Sequence, residues 1–315
     1  MKTLKKIATM RYAVCALLAF CLCLPLMGDD AAKKLFEETK EKAKKGDAKA
    51  QGLLAWEYTY GERKDPALAF EWARKAAEQG DSKGEFILGR SFQTGLGAEQ
   101  DSKEAVKWYR KAAEQGEVYA QANLGMMYYY GKGVPQDFKE SFRFGLKAAL
   151  QGDSLAQSLL GEYYRLGLGV KQNADSSVRW YRKAAEQGNA NAQANLATMY
   201  YNGKGVQRDF TEAAKWYRKA AEQGRAVTQF NLGMMYYNGK GVPRDFTEAA
   251  KWCRKAAEQG QAVAQLNLGW MYKKGQGVEK DFKEAVKWIR KAALQEGDKE
   301  TQKRAKEDLR NLNLD

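Results

Sequence analysis

Histidine is absent from the 315 residues, and proline and cysteine occur only four times each. Without imidazole there is no Ser–His or Cys–His nucleophile pair and no His-ligated zinc site. Ser-x-x-Lys is missing too, which removes another arrangement for activating a serine. Scarce proline beside 30 glycines describes helices punctuated at intervals. Apolar residues make up 44% of the chain and aromatics 12%, which supplies a core and excludes wholesale disorder. The longest apolar stretch, Tyr12 to Met27, falls short of the ~20 residues that a membrane-spanning helix needs.

That stretch follows Lys2, Lys5, Lys6 and Arg11 and ends at Gly28-Asp29-Asp30. A charged start, a short apolar middle and a small residue at the exit describe a secretory signal peptide. Residues 1–28 are therefore expected to be removed on export to a bacterial periplasm or the medium, with an uncleaved inner-membrane anchor as the alternative. Cys15, Cys21 and Cys23 follow Val14, Phe20 and Leu22, which argues against lipidation. Losing four basic groups leaves 49 basic residues against 39 acidic, a net +10 in place of +14. Cys253 then stands alone, so packing rather than an internal disulfide must hold the exported chain.

The order that is present is a period of 36. Glu-Gln-Gly recurs at 78–80, 114–116, 186–188, 222–224 and 258–260, with Leu-Gln-Gly at 150–152. Trp72, Trp108, Trp180, Trp216, Trp252 and Trp288 keep the same spacing, with Phe144 in the remaining place. Residues 202–224 and 238–260 differ only at Gln207/Pro243 and Tyr217/Cys253, the mark of an internal duplication. Cys253, standing where other units have Tyr109, Tyr181 and Tyr217, reads as a packing residue.

Each unit reads as two helices. Ala120, Leu124, Met127 and Tyr128 fall on one helix face. Gly131-Lys-Gly-Val-Pro-Gln-Asp137 breaks that helix, and Asp137 caps the next. Phe210, Ala213, Ala214, Trp216, Tyr217, Ala220 and Ala221 line the packing side of a second helix. Mid-helix Gly125, Gly161, Gly233 and Gly269 cost roughly 1 kcal/mol each against Ala, which implies close helix–helix approach.

Ala-Gln-x-Asn-Leu-Gly-x-Met-Tyr-x-x-Gly-x-Gly-Val-x-x-Asp-Phe-x-Glu-Ala-x-x-Trp-x-Arg-Lys-Ala-Ala-Glu-Gln-Gly is similar to the Sel-1-like repeat family, a relative of the tetratricopeptide repeats. The resemblance covers seven units, at 47–80, 81–116, 117–152, 153–188, 189–224, 225–260 and 261–297. The first lacks two loop residues and the last carries one extra near Glu296. Residues 29–46 read as an N-terminal capping half-repeat and 298–315 as a C-terminal capping helix, polar ends that keep a solenoid soluble. The implied fold is all-α, a right-handed α-solenoid of antiparallel helix pairs. Secreted family members often pair two Cys within each repeat; this chain does not.

Gly-Lys-Gly-Val at 131–134, 203–206 and 239–242 is not a phosphate loop, because its spacing is wrong and Gly rather than Ser or Thr follows Gly-Lys. The Arg-Lys pairs at 74–75, 110–111, 182–183, 218–219, 254–255 and 290–291 suit helix C-termini, and Arg110 is placed to meet Glu114 one turn on. Nucleic acid is not the expected partner, whereas an acidic envelope surface fits a net +10. Carboxylates repeated once per unit, at Asp137, Asp209, Asp245 and Asp281, read as structural, so no catalytic residue, metal or cofactor is expected.

By analogy with the tetratricopeptide repeats, the third, sixth, seventh, tenth, thirteenth and fourteenth residues of each unit line a concave groove. The seventh supplies Asn123, Asn195, Asn231 and Asn267, amides that donate to and accept from an extended peptide backbone. Neighbouring positions supply Tyr119, Met126, Tyr129, Tyr130, Thr198, Tyr201, Met234, Tyr237 and Trp270, with Lys273 and Lys274 at one end. Equally, the asparagines can serve to bond adjacent helices. The expectation is a non-enzymatic protein-binding scaffold of the bacterial envelope. The alternative, drawn from the resemblance because some exported members are linked to penicillin binding or β-lactam hydrolysis, is an enzyme or binder acting on peptidoglycan or β-lactams.

Overall fold

The computed structural model describes residues 29–295 and 297–311, and the predicted signal peptide lies outside them. All regular structure among the described residues is helical, in sixteen α-helices. α1 (Asp29–Lys44) precedes the first pair, α2 (Ala48–Tyr60) and α3 (Pro66–Glu78). The pairs that follow are α4 (Ser82–Thr94) with α5 (Ser102–Glu114), α6 (Val118–Tyr130) with α7 (Phe138–Leu150), and α8 (Ser154–Leu166) with α9 (Ala174–Glu186). Next come α10 (Ala190–Asn202) with α11 (Phe210–Glu222), α12 (Ala226–Asn238) with α13 (Phe246–Glu258), α14 (Ala262–Lys274) with α15 (Phe282–Ala293), and last α16 (Lys299–Asn311). Consecutive helix pairs are the architecture of a repeat solenoid.

Local chemistry sets the helix ends. Asp137 Oδ1 accepts from the backbone N–H groups of Lys139 and Glu140, at 2.8 and 3.1 Å. Asp209 and Asp245 cap α11 and α13 in the same way, and Asp281 accepts from Glu284 N at 3.0 Å. The repeated carboxylates are therefore spent on N-termini, each worth about 1 kcal/mol. The Gly-x-Gly turns are fixed by backbone geometry. Gly239 ends α12 at φ 66°, and a Cβ on Gly241 (φ 71°) would lie 2.0 Å from the carbonyl oxygen of Phe210. The second glycine of the turn thus packs on the start of the preceding unit's second helix, which explains Gly-Lys-Gly-Val without any phosphate.

The chain forms two compact units. One holds the described residues up to Ala156 together with Leu168–Val170; the other holds Gln157–Gly167 with the described residues from Lys171 onward. In the first, Ala120, Leu124, Met127 and Tyr128 are buried as one face of α6, beside Phe86, Ile87, Leu88, Tyr109 and Phe144. In the second, Ala213, Ala214, Tyr217, Ala220 and Ala221 are buried on α11, with Phe210 and Trp216 half-buried at its edge. Gly233 lets α12 and α13 meet, since a Cβ there would stand 2.9 Å from Cys253 Sγ and 3.1 Å from the Ala249 carbonyl oxygen. Cys253 is fully buried, and burial pushes its thiol up to about 12, so it packs as a small apolar side chain and is almost entirely un-ionised near neutral pH.

Hydrogen bonds between glutamines and helix carbonyls, not expected from the sequence, join successive pairs. The fifth residue of most units is a buried glutamine whose Nε2 donates to an alanine carbonyl of the preceding second helix: Gln121 to Ala113 (3.2 Å), Gln193 to Ala185 (3.1 Å), Gln229 to Ala221 (3.1 Å) and Gln265 to Ala257 (3.0 Å). The glutamine closing the second helix then donates to the Oε1 of its own unit's buried glutamine, Gln151 to Gln121 (2.9 Å), Gln223 to Gln193 (2.8 Å) and Gln259 to Gln229 (2.7 Å). Arg110 differs from expectation. Its guanidinium donates to the Tyr128 hydroxyl of the next unit (2.7 Å) rather than pairing with Glu114, and Arg182, Arg218 and Arg254 reach Tyr200, Tyr236 and Tyr272 likewise. A buried phenol that would otherwise lack a partner is the stronger attractor.

Candidate functional site

In the N-terminal unit the predicted residues lie along α6. Tyr119, Met126 and Tyr130 are 44, 37 and 59% exposed, an unusual concentration of apolar surface on one helix. Tyr129 is half-buried, its ring edge-on to Tyr130 at 4.9 Å and to Phe138 at 5.5 Å. Asn123 donates its amide to the Tyr119 carbonyl one turn back, at 2.8 Å.

Residues outside the asparagine register extend this surface. Trp56 on α2 meets Tyr60 at 4.5 Å, Phe86 of α4 at 6.0 Å and Tyr119 of α6 at 5.4 Å between ring centroids. Phe86 is buried as the floor of this cluster and lies 5.8 Å from Tyr119. Lys83 Nζ stands 5.3 Å over Trp56, and the Arg90 guanidinium 4.9 Å over Tyr60. Burial raises the Tyr60 and Tyr119 phenols above their ordinary value, so both remain neutral hydrogen-bonding groups near neutral pH. Reading from asparagine missed this cluster because the seventh residues here are Leu53 and Ile87. The third, sixth, tenth and fourteenth places of the first two units carried the signal.

In the C-terminal unit the predicted residues are more engaged. Asn267 donates to the Val263 carbonyl at 2.8 Å, and burial raises the Tyr217 phenol above its ordinary value, with Thr198 and Asn231 opposing the shift. Thr198 shares a hydrogen bond of 2.9 Å with that same phenol; Asn195 is half-buried on α10. Tyr201 and Tyr237 pack edge-on against Phe210 and Phe246, each at 5.1 Å. The Tyr201 hydroxyl accepts from Lys240 Nζ at 3.1 Å, and the Tyr237 hydroxyl donates to Gln276 Oε1 at 2.9 Å. Met234 is half-buried against the core. The Trp270 indole donates to Asp308 of α16 at 2.7 Å and lies beneath Arg304. Lys273 and Lys274 are exposed at the end of α14.

The chemistry on offer is that of binding: ring faces, a thioether, amide oxygens and cations. An asparagine that spends one N–H inside its helix keeps its carbonyl oxygen and a second N–H for a ligand. No group of three or more Cys, Asp or Glu side chains among the described residues is placed to hold a metal ion. No described helix is long and apolar enough to cross a membrane.

The family profile described as Sel1 repeat matches residues 48–81, 82–117, 118–153, 154–189, 190–224, 226–261 and 262–296. The chain belongs to the Sel1 repeat family. A solved structure of c5321, a protective antigen of uropathogenic Escherichia coli strains displaying an SLR fold, is 42% identical, with a TM-score of 0.76 over 82% of this chain. This chain spans 56% of the length of c5321. A Sel1 repeat protein from Oxalobacter formigenes is 31% identical, with a TM-score of 0.68 over 79% of this chain and 98% of its own. No curated protein sequence matches the chain significantly. Sel1 repeat proteins are generally non-catalytic scaffolds, and their fold generally mediates protein–protein interaction.

Proposed function

We propose that this Sel1 repeat protein is an exported, non-enzymatic adaptor of the bacterial envelope that holds a segment of a partner protein along its first helices. The observation that carries this reading is the exposure of Tyr119, Met126 and Tyr130 along α6. Helix-pair packing buries the Ala, Leu and second Met of that helix and leaves these three outside. Large exposed side chains grouped on one face mark interaction surfaces, and Tyr and Met are favoured interface anchors. In the C-terminal unit, Thr198, the free valences of Asn195, Asn231 and Asn267, and Lys273 with Lys274 supply polar and charged contacts. Half-buried side chains support each surface, Tyr129 in the N-terminal unit and Tyr201, Met234, Tyr237 and Trp270 in the C-terminal unit. Export rests on the sequence of residues 1–28. A net charge of +10 after their removal favours an acidic partner or an anionic envelope surface over a neutral one.

The test is affinity capture from envelope extract with the full chain, a triple variant Tyr119→Ala/Met126→Ala/Tyr130→Ala, a double variant Asn195→Ala/Asn231→Ala, and a second-helix control Lys147→Ala/Lys219→Ala. Wild type and control are expected to retain the same protein, the triple variant to lose it, and the double variant to hold it more weakly. Capture that survives the triple variant and fails with the control contradicts the assignment of the first helices.

A further inference from the structure

Within a repeat array, positions demanded by stacking repeat their residue type, and positions free of that demand vary. The fifth residue is Gln in six units and Glu85 in the other. The tenth residue, by contrast, runs Trp56, Arg90, Met126, Glu162, Thr198, Met234, Trp270. The aromatic cluster of the N-terminal unit is built from such variable places: Trp56 and Tyr60 from the first unit, Lys83, Phe86 and Arg90 from the second, Tyr119 from the third. Stacking alone does not call for rings and cations together there.

The two cations are the second observation. Lys83 and Arg90 are half-buried, and neither lies within ion-pair distance of a carboxylate among the described residues. The lysines on the second helices differ. Lys107, Lys215, Lys251 and Lys287 each pair with a glutamate one turn back. The carboxylates that act on Lys83 are Asp81 and Glu117. Each is committed to a helix N-terminus, Asp81 accepting from Gly84 N at 2.9 Å and Glu117 from Tyr119 N at 3.4 Å. Glu57, next to Trp56 in the chain, faces Arg63 at 3.8 Å. Two partly desolvated cations held over ring faces without a carboxylate of their own are poised to take one from outside.

Resting on the scaffold reading above, we propose that the cluster of Trp56, Tyr60, Phe86 and Tyr119 docks an acidic segment of a partner protein that carries an aromatic side chain, with Lys83 and Arg90 receiving its carboxylates. The incoming ring packs on the open edges of Trp56 and Tyr119 above the buried floor of Phe86, in the offset or edge-on geometry that aromatic pairs prefer. The flanking carboxylates meet Lys83 on one side and Arg90 on the other. Matched charge fixes the register of an otherwise apolar contact and speeds encounter.

The test is selection of random twelve-residue displayed peptides on the immobilised full chain. The enriched peptides are then measured against the double variant Lys83→Glu/Arg90→Glu and, separately, against Tyr119→Ala. Enriched peptides are expected to be net negative and to contain at least one aromatic residue. Their affinity is expected to fall at least tenfold in the charge variant and several-fold in Tyr119→Ala, with helical circular dichroism unchanged. If the double variant loses helicity, Lys83→Gln replaces it and the same loss of affinity is required. Enrichment of neutral or basic peptides, equal binding by all variants, or no enrichment overturns the proposal. Peptides that ignore these variants but are lost with Met126→Ala/Tyr130→Ala overturn this docking site and leave the scaffold reading standing.

Discussion

At the scale of single residues, the informative ones break the repeat's own rule. Glu85 stands where every other unit has the buried glutamine. Its Oε2 accepts from Gln115 Nε2 at 2.8 Å as a glutamine oxygen would, but an ionised carboxylate has no hydrogen for the carbonyl that the glutamines reach. Burial is the main cause raising its carboxyl above the ordinary range, offset by Lys111 and Gln115 and reinforced by Asp81 and Glu114. A protonated Glu85 restores the missing donor. An acid whose value is raised by folding contributes stability that is fully present below its unfolded value, about 4.3, and is lost as pH rises through the native one. Glu85→Gln is therefore expected to stabilise the protein by about 1 kcal/mol near neutral pH and to flatten its pH dependence. Urea unfolding of both proteins between pH 4 and 8 measures this; a destabilised Gln variant at neutral pH contradicts it.

At the scale of elements, the helix pair was legible because its signals are local. The helix-ending glycines such as Gly131 and Gly239, the Asp N-caps and the helical spacing of the alanines each act within a few residues, and the structure places them as the spacing predicts. The links between pairs were not legible, since a glutamine meeting a carbonyl eight residues back or an amide 30 residues on leaves no mark beyond its own recurrence. The fate of Arg110 was hidden for the same reason. Among the described residues, two helices lack a side-chain cap, α12 at Arg225 and α14 at Gln261. Gln261 stands at the N-cap of α14 with no capping bond, and its Oε1 is buried without a partner. Gln261→Asp supplies the oxygen that Asp81 uses for α4 and removes the orphaned amide. Its expected gain is about 1 kcal/mol, read as a rise of about 2 °C in melting temperature; an unchanged or lower value contradicts that account of the cap.

At the scale of the whole molecule, the seven-fold periodicity predicted the all-helical architecture, while the division into two compact units left no trace in a period that runs unbroken through residues 153–188. The candidate site was legible in part. The register placed Tyr119, Met126 and Tyr130 on exposed surface. It could not show that Trp270 is held by α16 or that Tyr237 is tied to Gln276, because those partners come from outside the unit that was read. Nor did it reach Trp56 and Phe86, whose contacts join three successive units. The central claim is that the first helices, and not the second, present the partner-binding surface. Photo-cross-linking in cells of the native host tests it most directly, with a benzophenone amino acid placed singly at Tyr119, Met126 or Tyr130 on α6 and at Lys147 or Lys219 on second helices. The account predicts a discrete protein adduct from the α6 positions and none from the second-helix positions. Adducts confined to Lys147 and Lys219, or none from α6, would contradict it.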